Sequence, residues 1–220
     1  MKGNIVSLEP CGIGDYERLA KWLTAESSWY AAGRPKVHSA EDMRNEDQHG
    51  ENHFMMVVEN VGRRRVGTVT WKQNLQYEGS YHIGTGIGDK ELFNQGYGAE
   101  AIVLLLSYLF HGRNAHRVDF IFGVYNKNVL PIITQWGVTV EGILRDYFYL
   151  DGEYHDAAMC SVLRDEFYRF ADLAGFQSTL DAISAEDKQV AREMMRVHLE
   201  KLPDGYLADL LARRRQSAEP

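Results

Sequence analysis

The chain has 220 residues, 45 % of them hydrophobic and 25 % charged, which is the make-up of a folded chain with a domain-sized core and no disordered or low-complexity stretch. Its formal net charge of −7 excludes the usual nucleic-acid binder, whose affinity rests on lysines and arginines neutralising phosphates, and suits a cationic partner such as an amine. The basic tip "ARRRQ" fits the negative end of a helix dipole.

In chain order, "NIVSLEP" alternates as a strand and breaks at Pro10, and "GDYERLAKWLTAE" then sets Tyr16, Leu19, Ala20 and Leu23 at helical spacing. A polar stretch follows, in which Ser39 before "AEDM" is placed to cap a short helix. "HFMMVVEN", "RRVGTVTWKQ" and "SYHIGTGIGD" read as three strands of an antiparallel meander. A nearly all-apolar helix is predicted over residues 97–111, with Ala101, Leu105 and Leu109 four residues apart beside Ile102 and Leu106. "HRVDFIFGVYN" is the next strand, and "NVLPIITQWG" a short helix with Pro131 in its first turn and Gly137 as its C-cap.

A hairpin comes next, "VEGILRDYFYL" and "EYHDAAMCSVL" about the turn Asp151–Gly152. An unbroken register pairs Leu150 with Glu153, Tyr149 with Tyr154, Phe148 with His155 and Tyr147 with Asp156, which would set the last two side by side on one face. Residues beyond 165 read as helices: "DEFYRFADL", "SAEDKQVAREMMRVHLEKL" with Ser184 as N-cap and Asp187 three residues on, and "YLADLLARRR". Cys11 and Cys160 are too few for a disulfide framework, and no Cys/His spacing matches a zinc site, so no metal is expected. The opening residues lack a secretion signal and "AIVLLL" is too short to span a bilayer, so the expected setting is cytoplasmic, without membrane attachment.

Chemistry is concentrated at "FNQGYGAEA", where Gly96 and Gly98 run into the apolar helix. A P-loop needs lysine and then serine or threonine after its last glycine, and Ala99 and Glu100 stand there instead. "GYGAEA" fits the alanine-ended dinucleotide fingerprint, with Asp119 at about the distance of its ribose contact, but it follows a meander, and Asp119 lies inside a strand. A third mechanism uses the helix's first N–H groups, which have no internal partner, to grip a pyrophosphate; glycines would let the phosphate approach the backbone closely. A plain tight turn is the fourth.

Residues 4–166 resemble the GNAT superfamily of acyl-CoA N-acyltransferases, in the branch of the ribosomal-protein N-terminal and spermidine acetyltransferases. The resemblance rests on "LFNQGYGAEAIVLLLSYLF", "HRVDFIFGVYNKNVLPIITQWGV" and "VEGILRDYFYLDGEYHDAAMCSVLRDEF" in family order. It implies an α/β (α+β) fold with a mixed, mostly antiparallel central sheet and helices on both faces over residues 1–166; the C-terminal helical extension over 167–220, read from its own pattern, lies outside the resemblance. The resemblance further implies acetyl-CoA as acyl donor, its phosphates on the N–H groups of Asn94, Gln95, Gly96, Tyr97, Gly98 and Ala99 and its pantetheine arm along the strand ending near Ile87 and Gly88. Asn126 matches the family's asparagine beside the cofactor, and equally suits an N-cap for "KNVLPII".

Many family members protonate the departing thiolate with a tyrosine seven residues after that asparagine. Ile133 stands there in this chain, with Val129 at the usual small residue and Val138 at the usual aromatic. Positioning amine and thioester contributes roughly 7 to 11 kcal/mol, against about 10² to 10⁴ in rate for one general acid or base, so the loss does not imply inactivity. Candidates for proton handling are Tyr147, Asp156, His155 and Glu141, while His82 and Glu100 read as structural. The expected activity is N-acetylation of a primary amine of a small metabolite or of a peptide N-terminus, in an acceptor site walled by the first two helices and the closing hairpin, with the tail helices or a second subunit of a homodimer as the candidates for a further wall. Transfer of a succinyl or malonyl group, or acyl-CoA binding without catalysis, are the alternatives.

Overall fold

A computed structural model describes residues 1–33, 37–74, 76–176, 180–203 and 205–206; the predicted helix "YLADLLARRR" and the basic tip lie outside the described residues except for Tyr206. Seven strands form one sheet: β1 (Val6–Pro10), β2 (His53–Glu59), β3 (Arg65–Gln73), β4 (Ser80–Ile87), β5 (Arg117–Gly123), β6 (Thr139–Leu150) and β7 (Glu153–Leu163). Their spatial order is β1-β2-β3-β4-β5-β7-β6. Every neighbouring pair is antiparallel except β4 and β5, so the predicted meander is its first half.

Helices cover both faces. On one face lie α1 (Asp15–Thr24), α2 (Glu26–Ala32) and α3 (Ala40–Gln48), where Tyr16, Leu19, Ala20 and Met43 pack on Phe54, Met56 and Val58 of β2. Ser39 caps α3 as predicted, accepting the Asp42 N–H at 3.0 Å. On the other face lies α4 (Tyr97–Ser107), which ends in a π-helical turn over Tyr108–Gly112. The predicted single helix over 97–111 therefore changes winding partway. A β-carbon on Gly98 of α4 would touch Ile87, whereas one on the next strand position, Gly88, would overlap the Trp22 ring of α1. Successive strand residues point to opposite faces, which puts α1 and α4 on opposite sides of β4.

After β5 comes α5 (Leu130–Trp136). Pro131 sits in its first turn and Gly137 closes it with φ +62°. The hairpin turn has φ +56° at Asp151 and +86° at Gly152, the positive pair that a two-residue hairpin requires.

The chain divides into two compact units, Met1–Gln177 and Ser178–Pro220. The first includes α6 (Arg164–Leu173), within which the boundary expected at 166/167 falls; its Phe167 is buried and stacks on Phe110 with centroids 5.0 Å apart. The second contains α7 (Ala185–Glu200), capped by Ser184, which accepts the Asp187 N–H at 2.9 Å. None of the described residues of α7 is buried, and Arg196 bridges Glu193 and Glu200 along it.

Candidate functional site

Asn94 (φ +61°) and Gly96 (φ +84°) both adopt the left-handed backbone ahead of α4. The first bond closing onto this turn runs from the Glu100 N–H to the Gly96 carbonyl, so the Tyr97, Gly98 and Ala99 N–H groups have no helical acceptor and gather at the positive end of the dipole. Side chains pin the turn. Gln95 donates to the Glu91 carbonyl at 2.7 Å, and the Tyr97 hydroxyl donates to Glu59 at 2.7 Å. The Glu100 carboxylate accepts the backbone N–H groups of Asn4, Ile5 and Val6 at 2.7 to 2.8 Å, a structural role as read from the sequence.

The two glycines are not equivalent. Gly96 is required by its φ, but a β-carbon on Gly98 would meet only Ile87, at an ordinary 3.6 Å. The fold itself leaves Gly98 free to be alanine.

Beside this turn the sheet opens. The parallel pairing of β4 and β5 covers only Ser80 with Arg117, Tyr81 with Val118 and His82 with Asp119. The Gly88 N–H bonds to Val66 on the β3 side, so by the strand period the backbone groups of Ile83, Thr85 and Ile87 point to the unpaired β5 side. A ligand chain entering there would meet strand-like donors and acceptors. His82 Nδ1–H donates to Asp119 at 2.7 Å and clasps the apex of the opening.

Asn126 is 3 % exposed. Its side-chain oxygen accepts the Asn128 N–H at 3.1 Å and its carbonyl the Val129 and Leu130 N–H groups. The residue at the N-cap of α5 is Val129, so Asn126 builds the approach to that helix and does not cap it. Ile133, at 6 % exposure, is packed with Phe122, Ala158 and Cys160; that position is core.

The hairpin departs from the predicted register. Phe148 faces His155 and Tyr149 faces Tyr154, but the pairing shifts between Leu144 and Phe148 and again between Val140 and Gly142. Asp146 takes φ +52° in the first shift, and its N–H donates to Asp156 at 2.9 Å. Tyr147 is therefore not opposite Asp156; it is 51 % exposed, with its ring edge-on to Phe148. Glu141 receives two bonds from Arg117, at 2.6 and 2.5 Å, and one from Ser161 at 2.7 Å, which lower its pKa to about 2. That carboxylate is a poor proton acceptor. His155 Nε2–H donates to the Leu150 carbonyl at 3.2 Å, a tautomer that leaves the Nδ1 lone pair available.

Directly paired residues share a face. Through the pairs His82–Asp119, Asp119–Ser161 and Phe148–His155, the even positions of β4, the odd positions of β5 and His155 look toward α1 and α2. Aromatic rings wall that side. Trp22 lies over Gly88, Phe148 fills the place of a Gly33 side chain, and the Tyr125 ring folds back over Gly123. Tyr125 also meets Tyr30 at 5.3 Å and His155 at 5.0 Å, and the Tyr30 hydroxyl donates to the Tyr125 carbonyl at 2.9 Å. Tyr125 Oη and Trp29 Nε1 are buried without a hydrogen-bond partner. Sequence reading passed over Tyr125, because a tyrosine after a strand carries no local sign that its ring will fold back over a glycine two positions earlier. Among the described residues, no group of three or more His, Cys, Asp or Glu could hold a metal ion, and no helix is long and apolar enough to cross a membrane.

The family model described as an acetyltransferase (GNAT) domain matches residues 6–139, more than half of the chain. An uncharacterized N-acetyltransferase, p20, of Bacillus licheniformis is 26 % identical over 134 residues, covering 61 % of this chain and 73 % of its own. The spermidine N-acetyltransferase of Vibrio cholerae, solved with CoA and spermine, has a similar fold with a TM-score of 0.67 at 16 % identity, over 75 % of this chain and 99 % of that one. A ribosomal-protein alanine acetyltransferase of Vibrio fischeri superposes with a TM-score of 0.63 at 18 % identity, over 76 % and 97 %.

Proposed function

Because this chain belongs to the GNAT acetyltransferase family, we propose that it transfers the acetyl group of acetyl-CoA to a primary amine of a small metabolite or a peptide N-terminus. One observation carries the reading: the free N–H groups of Tyr97 to Ala99 adjoin a sheet opening whose β4 edge has no strand partner. The coenzyme diphosphate would rest on the N–H groups from Asn94 to Ala99, where unpaired donors and the helix dipole favour an anion. The pantetheine amides would pair with the free edge of β4 at Thr85 and Ile87, and Asn126, which follows β5, would border the same opening. CoA accompanies the Vibrio cholerae relative of similar fold.

The amine would approach from the α1 and α2 side, where Trp22, Tyr30, Tyr125 and Phe148 present aromatic rings. Such rings attract a cationic amine by roughly 0.5 to 2 kcal/mol. A lysine-like amine must shed a proton, a handicap of roughly 4 to 5 kcal/mol at neutral pH. Of the four proton-handling candidates, His155 is the one with a free ring nitrogen on this side, and we assign it the amine proton. Glu141 and Asp156 hold the hairpin together, and Tyr147 faces away.

The test is thiol release from acetyl-CoA with spermidine and an alanine-headed tripeptide as acceptors, read beside binding of acetyl-CoA by calorimetry. Binding with amine-dependent release supports the reading. Binding without release favours the acyl-CoA-binding alternative suggested by Ile133, and no binding removes both.

A further inference from the structure

Ile133 leaves the departing thiolate without its usual acid, and it packs among the apolar side chains of Phe122, Ala158 and Cys160. The same end of β5 holds an unusual feature. Tyr125 turns back over Gly123, so that a β-carbon there would overlap its ring and stand 2.8 Å from its hydroxyl. That hydroxyl is shielded from solvent and has no hydrogen-bond partner. Leaving a buried polar group unpaired costs about 1 to 3 kcal/mol, and such groups in native folds are commonly completed by a ligand or water. The ring is held on three sides, by Tyr30, His155 and the Gly123 backbone. It faces the α1 and α2 side at the end of β5 that diverges from β4, where a thioester threaded through the opening emerges.

We propose that Tyr125 is the proton donor to the leaving thiolate, in place of the absent helix tyrosine; this rests on the acetyl-transfer reading above. The amine nitrogen attacks the thioester carbonyl carbon, the C–N bond forms, and the C–S bond breaks with its electron pair staying on sulfur. The Tyr125 hydroxyl gives its proton to that sulfur and His155 takes the proton released by nitrogen; once the products leave, the imidazolium loses its proton to solvent and the tyrosinate regains one from it. Amine and thioester become amide and thiol, with one proton moved from nitrogen to sulfur. Burial, the leading cause, raises the Tyr125 pKa above its ordinary 10, with Tyr30 and Asp151 adding to it, so the hydroxyl keeps its proton until sulfur demands it.

The experiment compares the full chain with Tyr125→Phe, Gly123→Ala and the double variant, using acetyl-CoA and the better of the two acceptors above. Tyr125→Phe is expected to lower kcat about 100-fold with the KM for acetyl-CoA unchanged, the lower end of a general acid's contribution. Gly123→Ala keeps the hydroxyl but displaces the ring, and should lower kcat to a similar degree, with the double variant no slower than either single one. A Tyr125→Phe enzyme with wild-type kcat, or single effects that multiply, overturns the assignment alone. A wild type that binds acetyl-CoA but releases no thiol with either acceptor overturns both this step and the reading beneath it.

Discussion

The head of α4 and the β6–β7 hairpin both join regular elements through left-handed residues, yet they differ in what governs them. At α4 the groups proposed to hold the coenzyme are backbone N–H groups whose freedom follows from helix geometry alone, and the side chains only fasten the turn. In the hairpin the candidates for proton handling are side chains, whose neighbours depend on register. Two register shifts in β6 redirect Asp156 to the Asp146 N–H and turn Tyr147 outward. A backbone site survives changes that a side-chain site does not, and its tolerance to substitution is correspondingly specific.

Substitutions at the head of α4 should give the largest effects. Gly96→Val forces a β-branched residue into φ +84°, a strain of about 1 to 3 kcal/mol that either reshapes the turn or destabilises it. Acetyl-CoA affinity measured by calorimetry should fall at least 100-fold. Gly98→Ala gives the sharper contrast. Its β-carbon has ordinary space and its helix propensity improves by at most about 1 kcal/mol, so thermal stability should hold or rise while acetyl-CoA affinity drops about tenfold. Equal affinity would mean that no phosphate approaches that backbone.

In the hairpin the effects should be smaller and of another kind. Asp156→Asn weakens the bond from the Asp146 N–H and should cost about 0.5 to 1.5 kcal/mol by urea unfolding, with kcat within threefold of wild type. Tyr147→Phe should change neither. A large loss of turnover at either position, with stability intact, would return proton handling to the pair and break the contrast. Smallest is an acid-side effect at Glu141, whose folded pKa is depressed to about 2, first by the Arg117 hydrogen bonds and then by Ser161. A depressed carboxylate stabilises the fold above its ordinary pKa of 4.5 and loses that contribution as pH falls from there toward about 2. Glu141→Gln should therefore have a lower urea midpoint than wild type at pH 7 and nearly the same midpoint at pH 2.5.

Features written in local sequence were legible before the structure. Ser39 and Ser184 cap their helices, Pro131 and Gly137 bound α5, and Asp151–Gly152 makes the hairpin turn, each because one residue's stereochemistry decides the outcome. The meander and the apolar helix followed from periodicity. Legibility ended where distant parts of the chain decide. The pairing of Tyr147 with Asp156 failed because no residue in "GILRDYFYL" announces the extra residues of a bulge. The boundary expected at 166/167 falls inside α6, because a helical pattern does not tell that Phe167 will stack on Phe110. Tyr125 escaped notice because its importance rests on a glycine it covers and a hydroxyl left unpaired, neither of which leaves a local trace.

The central claim is that the α4 head and the open edge of β4 together hold the carrier of the acyl group. It is tested most directly by titrating the full chain with acetyl-CoA and, separately, with acetyl-pantetheine, the same thioester without the diphosphate and the phosphorylated adenosine that it carries. Acetyl-CoA should bind at least about 100-fold more tightly, a difference of about 2.7 kcal/mol. Equal binding of the two, or no binding of acetyl-CoA, would contradict it.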